Sequence, residues 1–273
     1  MFITRHFRHL LLFLLLICFA CNMTRRRQEE YLIIEEEQEK KGKSALDKDQ
    51  IITSQSLGYE VRFEVYLPPK YEEMGDLPCL YVVDGPSYIK DGGMKALLDR
   101  LIQSKKIKPI MAVFIDSRDP RYPEKNRRNK EFLGNPAYLT FITDELITRI
   151  EDDYPSSPHQ QDRAFLGLSF GGLMAAYVGV QASDLFYNIG IQSPSTHPFP
   201  EIYEMYEKSE RLPIRIFLST GTKNDTQSDA LKFKQILEEK NYPFEYKEVA
   251  AGHNWDNWKP LLDDILLFFY ARE

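Results

Sequence analysis

From residue 55 onward, short apolar runs alternate with longer stretches in which apolar side chains recur every three to four positions. Residues 59–67, 77–83, 110–115, 163–167, 186–192, 214–219 and 244–249 read as strands. Several are almost unbroken in Val, Ile, Leu and Phe, the pattern of strands covered on both faces. Residues 94–102, 136–150, 173–180 and 226–240 read as helices between them. In 136–150, Leu139, Ile142, Leu146 and Ile150 share one face, and Asn135 with Pro136 starts the helix. Strands alternating with helices predict an α/β domain, a mostly parallel central sheet flanked by helices, over residues 55–273.

The amino terminus follows a different pattern. Arg5, His6, Arg8 and His9 precede an apolar stretch of eleven residues, 10–20, which is short for a membrane span and fits an export signal over residues 1–20. Ala20 followed by Cys21 resembles a bacterial lipoprotein cleavage site, with Cys21 the acylated first residue, although Cys18 and Phe19 depart from the usual pattern. An ordinary signal peptide or an uncleaved anchor is the alternative. Residues 21–54 then read as a charged, solvated tether, dense in Glu between residues 29 and 39. The protein is expected to be exported, in a bacterium either periplasmic or membrane-anchored through the lipid.

Composition narrows the function classes. A chain of 273 residues that is 43% hydrophobic can bury one sizeable core. Its net charge of −6 gives no support to nucleic-acid binding. Cys79 is the one cysteine of the expected domain, so an internal disulfide there is excluded and a buried thiol is expected. His159, His197 and His253 are scattered without metal-ligand spacing, and no Gly-rich phosphate loop is present, so neither metal nor cofactor is expected.

One motif carries chemistry. Gly167-Leu168-Ser169-Phe170-Gly171, with Gly172 behind it, joins a predicted strand to a predicted helix. A serine on so sharp a turn is held in a strained backbone, and small neighbours let strand and helix pass closely. Ser169 is the candidate nucleophile, and the Phe170 amide just after it is one candidate donor to a developing oxyanion.

Such a serine needs a base and an acid. His253 lies directly after the last predicted strand, where the chain order Ser, acid, His puts the base. His159 reads as a solvated loop residue, and His197 as a turn residue beside Pro198, lining of the pocket being its alternative. Asp225 follows the strand 214–219 and is the candidate acid. Asp229, one helical turn on, is its rival, since Asp225 also suits the cap of helix 226–240.

Four blocks together resemble the esterase group of α/β-hydrolases that includes enterochelin esterases, feruloyl esterases and mycolyltransferases. They are Leu80-Tyr-Val-Val-Asp84-Gly85; Phe114-Ile-Asp116-Ser117 with Arg128-Asn-Lys-Glu131-Phe132; Gly167 to Gly172; and Gly252-His-Asn-Trp-Asp-Asn-Trp258. The resemblance covers roughly residues 59–270 and implies an α/β-hydrolase fold and acyl transfer through Ser169. The second block is closest to the enterochelin esterase branch, in which an Arg-x-x-Glu-Leu segment borders the active site.

That resemblance implies further site residues. The second oxyanion donor in relatives comes just after the Asp-Gly of the third strand, but Pro86 has no N–H, so Gly85 or Ser87 must donate. The segment from Arg128 to Glu131 is expected at the substrate, with the Arg128 guanidinium binding an acidic or catecholate group or, alternatively, forming a surface ion pair with Glu131. Tyr88, Trp255 and Trp258 are expected as flat walls for an aromatic acyl group, core packing being the other reading of the tryptophans. The implied substrate is a siderophore-type ester. A feruloyl or acetyl ester of plant polysaccharide is the alternative, as is an idle ligand-binding lipoprotein of the same fold.

Overall fold

Along the central strands, odd-numbered side chains enter one apolar layer and even-numbered side chains the other. Cys79, Tyr81 and Val83, Met111, Val113 and Ile115, and Phe165 lie in the larger core. Leu80 and Val82, Ala112 and Phe114, and Leu166 lie in the smaller one. This two-residue period on fully buried strands requires cover on both faces of the sheet.

In the computed structural model, which describes residues 42–272, the strands are β1 (Ala45–Ser54), β2 (Tyr59–Leu67), β3 (Cys79–Val83), β4 (Met111–Asp116), β5 (Arg163–Leu168), β6 (Asn188–Gln192), β7 (Arg215–Gly221) and β8 (Phe244–Val249). They form one sheet in the order β1-β2-β4-β3-β5-β6-β7-β8. Pairing of β2 with β1 and with β4 is antiparallel, and the remaining pairs are parallel. The helices are α1 (Gly85–Lys90), α2 (Met94–Gln103), α3 (Arg128–Glu131), α4 (Pro136–Thr140), α5 (Ile147–Asp153), α6 (Phe170–Gln181), α7 (Glu201–Lys208), α8 (Gln227–Glu239), α9 (Trp255–Trp258) and α10 (Leu262–Tyr270). α2 and α10 cover the smaller core. α5 to α8 supply the larger one. This is the α/β-hydrolase fold.

Two expectations shift. Residues 45–54, expected within the tether, form β1 at the sheet edge. Its charged stretch Asp47-Lys48-Asp49 conceals the strand, and Asp49 sits at φ 57° inside a register shift between Asp47 and Gln50. Charge and irregularity of this kind keep an edge strand from pairing with other chains. The helix expected over 136–150 is also not uniform: Asn135 caps it through a 2.9 Å bond from the Ala137 amide, but Phe141–Leu146 form a wide π turn. The slip in phase buries Tyr138 and Phe141 and leaves Leu139 only partly covered. The export signal and Cys21 lie outside the described residues. Cys79 is buried as expected, and burial pushes its thiol up to about 12.

Candidate active site

Between the end of β5 and the start of α6 a single residue, Ser169, reverses the chain, at φ 57° and ψ −121°. For a non-glycine residue such a backbone costs ~1–3 kcal/mol and persists only when its surroundings over-determine it. Here the Ser169 N–H donates to the Gln192 carbonyl at 2.9 Å, and the Ser169 carbonyl accepts from Leu173 at 3.1 Å and Ser195 at 3.2 Å. A Cβ at Gly167 would overlap the Gly171 carbonyl, so only glycine lets β5 and α6 cross this closely. The turn brings the Ser169 Oγ to 2.8 Å from His253 Nε2 and 3.3 Å from the Ser195 hydroxyl.

His253 occupies the loop after β8, where its ring meets Trp258 edge-on at 5.0 Å. Its Nδ1 lies 2.5 Å from Asp225 Oδ1. The Asp225 side chain, in the loop between β7 and α8, is fully buried. Its Oδ2 accepts from the Ser193 hydroxyl at 2.6 Å, Asn257 Nδ2 at 2.8 Å, the Thr220 hydroxyl at 3.2 Å and the Gly221 amide. Burial alone would push this carboxyl up. The hydrogen bonds from His253, Ser193 and the Gly221 and Thr226 amides outweigh it and hold the group well below the usual carboxylate range. An anionic Asp225 accepts from Nδ1–H, which leaves Nε2 as the acceptor facing Ser169.

Asp229 is not part of this line. In the first turn of α8, its carboxylate accepts the Thr196 amide at 2.9 Å and so supports the loop that carries Ser195. His159 is an exposed loop residue, whereas His197, also exposed, stands 5.7 Å from the Phe170 ring and borders the turn.

The Phe170 amide is the first of α6, where no intrahelical acceptor exists. Of the two donors considered near Pro86, the Ser87 amide is committed to the Asp84 carbonyl at 3.0 Å. Gly85 therefore remains. Its backbone runs so close to β4 that a Cβ would lie 2.5 Å from the Phe114 carbonyl carbon. Beside it opens a polar cavity of about 100 Å³, lined by Asp84, Pro86, Ser87, Asp116, Ser117, Arg118 and Asn126.

Several expected substrate contacts are buried instead. Glu131 is only 1% exposed and takes a 2.9 Å bond from the Tyr59 hydroxyl, so it does not pair with Arg128 at the surface. Tyr88 is fully buried and donates to Gln192 Oε1 at 2.9 Å; Trp258, 7% exposed, donates to the Ser193 hydroxyl at 2.9 Å. Both are large amphipathic rings whose polar tips found partners inside, which made core packing the stronger pull. Trp255 is partly exposed, edge-on to both rings. Arg128 pairs with Asp84, its Nε 2.8 Å from Oδ1 and 2.9 Å from Oδ2, and its Nη2 donates to the Leu168 carbonyl at 3.1 Å.

Ser193 and Ser195 escaped sequence reasoning, and Asn257 and Asp84, though part of the motif blocks, had no role assigned to them. The first two follow β6 in Gln192-Ser-Pro-Ser195, a polar run at the carboxyl end of a central strand, and that position was the available signal.

Comparison with known proteins follows the same geometry. The profile of the family described as Esterase matches residues 54–269. A Bacillus subtilis protein, YjcH, is 24% identical over 236 residues, covering 82% of this chain and 97% of its own. Among solved structures, a ferulic acid esterase superposes with a TM-score of 0.73 at 20% identity, over 84% of this chain and 98% of that one. The Shigella flexneri enterobactin esterase in the presence of enterobactin gives a TM-score of 0.72 at 22% identity, over 81% of this chain and 58% of that one.

Proposed function

The chain belongs to the esterase family and is a carboxylic ester hydrolase; from that premise we propose that Ser169 is its nucleophile, His253 its general base and Asp225 the acid that orients the base. The observation that carries this reading is the unbroken line of contacts from Ser169 Oγ through His253 to a buried, anionic Asp225.

In this mechanism His253 Nε2 takes the Ser169 proton as Oγ bonds the acyl carbon. The charge that develops on the carbonyl oxygen is received by the Phe170 and Gly85 amides. As the tetrahedral intermediate collapses, the bond to the alcohol oxygen breaks and the imidazolium returns its proton to that oxygen. An acyl-Ser169 remains. Water, deprotonated by His253, attacks it by the same route and releases the acid.

The substrate we assign first is a siderophore-type ester, a lactone of catecholate units. Its support is the likeness to an enterobactin esterase solved with enterobactin. A feruloyl or acetyl ester of plant polysaccharide is the second reading, favoured by the 98% coverage of the ferulic acid esterase against 58% of the enterobactin esterase. An idle ligand-binding role is opposed by the complete Ser169–His253–Asp225 line. Steady-state kinetics on a catecholate trilactone and on methyl ferulate, with Ser169→Ala as control, test the assignment. Preference for the trilactone supports it; preference for the ferulate moves it to polysaccharide deacylation, and turnover of neither removes both.

For location, the reading is an exported lipoprotein acylated at Cys21, supported by the basic start, the apolar stretch and Ala20-Cys21. Expression from the native start with a labelled fatty acid should label the parent and leave Cys21→Ala unlabelled.

A further inference from the structure

Arg128 bridges two backbone segments that are remote in sequence. Its Nε lies 2.8 and 2.9 Å from the two carboxylate oxygens of Asp84, at the end of β3, and its Nη2 donates at 3.1 Å to the carbonyl of Leu168, at the end of β5. Asp84 immediately precedes Gly85, and Leu168 lies one residue before Ser169 and two before Phe170. A single planar guanidinium therefore fixes the spacing between the two segments that hold the Gly85 and Phe170 amides. Geometry of this kind suits arginine, whose donors form a rigid fork, and is out of reach of lysine.

Other contacts tighten the same link. The guanidinium sits 5.3 Å from the Phe170 ring centroid and 5.5 Å from that of Phe132. Gly171 runs so near that a Cβ on it would lie 3.2 Å from Asp84 Oδ2. Asp84 itself adopts a left-handed backbone, φ 56° and ψ 32°, and Arg128 is what its carboxylate grips. The two side chains are 19% and 14% exposed. Because the pair neutralises itself, the guanidinium is spent within the protein and not presented to a substrate anion.

We infer that Arg128, through Asp84 and the Leu168 carbonyl, is a positioning residue that sets the distance between the Gly85 and Phe170 amides so that both meet the same oxyanion. The inference rests on the proposed reading of Ser169 as nucleophile. An oxyanion hole acts only if its donors already stand where the charge develops, and a misplacement of about 1 Å can cost on the order of a hundredfold in rate. A loss of this kind falls on the chemical step and leaves ground-state binding alone.

The test compares the parent with Arg128→Met, Arg128→Lys and Asp84→Asn, on p-nitrophenyl butyrate as a neutral ester and mono-p-nitrophenyl succinate as an anionic one. Inactivation by paraoxon, whose phosphoryl oxygen needs the same two amides, is measured beside it. We expect kcat on both esters to fall about 10- to 100-fold in Arg128→Met and Asp84→Asn, with KM within about threefold, and inactivation to slow in step. Arg128→Lys, which keeps the charge but cannot span both acceptors, is expected to lose at least about fivefold, and it carries the test if Arg128→Met does not fold. The double variant Arg128→Met with Asp84→Asn should be no worse than the poorer single one. An unchanged kcat with a raised KM for the succinate ester alone would make Arg128 a substrate reader and overturn the inference. A loss of kcat that only tracks the unfolded fraction in a thermal melt would overturn it too. Turnover retained by Ser169→Ala would remove the nucleophile reading and this inference with it; turnover lost there but kept in both Arg128 variants removes the inference alone.

Discussion

The Ser193 hydroxyl donates to Asp225 Oδ2 at 2.6 Å while accepting from Asn257 Nδ2 at 3.0 Å and from Trp258 Nε1 at 2.9 Å. One side chain at the end of β6 thus ties the proposed acid to α9, and it does so from a left-handed backbone at φ 43°. In Ser193→Ala the buried Trp258 N–H loses its acceptor, which should cost about 1–3 kcal/mol of stability. Asp225 keeps its bonds from Asn257 and Gly221, so kcat should fall by less than about tenfold. Denaturant unfolding and ester kinetics on one preparation check both halves. A hundredfold loss of kcat without loss of stability would show that Ser193 acts on the chemistry directly.

Ser169→Ala should abolish hydrolysis of a short p-nitrophenyl ester, by at least about a thousandfold, while the thermal transition stays in place, because the turn tolerates the smaller side chain. His253→Ala should fall nearly as far, since nucleophile and base act as a unit. Activity of Ser169→Ala within tenfold of the parent would sink the nucleophile.

Asp225→Asn and Asp229→Asn should separate cleanly. The first exchanges a carboxylate for an amide facing His253 Nδ1, favours the wrong tautomer and should lower kcat by roughly a hundredfold or more. The second leaves an acceptor for the Thr196 amide, which Asp229 holds at 2.9 Å, and should stay within about threefold of the parent. The reverse order of damage would return Asp225 to the role of a helix cap.

Much of this site can be read from the chain because its logic is local. Gly167 to Gly172 announce a strand-to-helix turn, and chain order alone selects His253 after the last strand. What stays hidden depends on contacts between distant segments. Asp225 and Asp229 flank the same helix start, and only the fold shows that the first meets His253 and the second Thr196. Arg128 reads as a cation for the substrate or as a partner of Glu131, three residues away, because its partner Asp84 lies forty-four residues upstream. The rings of Tyr88 and Trp258 suit either a pocket wall or a core, and the hydrogen bonds to Gln192 and Ser193 that decide the matter come from β6 and the residue after it. Likewise β1 was masked by Asp47, Lys48 and Asp49, since an edge strand exposed to water needs no apolar run.

Glu131 provides a pH test. Buried on α3, it takes the Tyr59 hydroxyl at 2.9 Å, and Arg127 stacks 4.1 Å from the Tyr59 ring centroid. Burial dominates over the hydrogen bond from Tyr59, the nearby Ser117 hydroxyl and the charge of Arg127, with Asp84 adding to the upward push, and lifts the carboxyl from its ordinary 4.5 to about 7. Since the folded state then holds this proton more tightly than the unfolded chain, the contribution to stability is fully present below about pH 4.5. It is lost as pH rises through about 7, a swing on the order of 3 kcal/mol. Glu131→Gln keeps an acceptor for Tyr59 and cannot ionise. Relative to the parent it should therefore gain stability steadily between pH 5 and pH 8, by roughly 1–3 kcal/mol, and be the more stable protein at the upper end. Denaturant unfolding of both proteins at half-unit intervals measures the difference directly. A difference that does not change over that range would mean that Glu131 is ionised throughout, with its charge compensated by Arg127 and the two hydroxyls in spite of its burial.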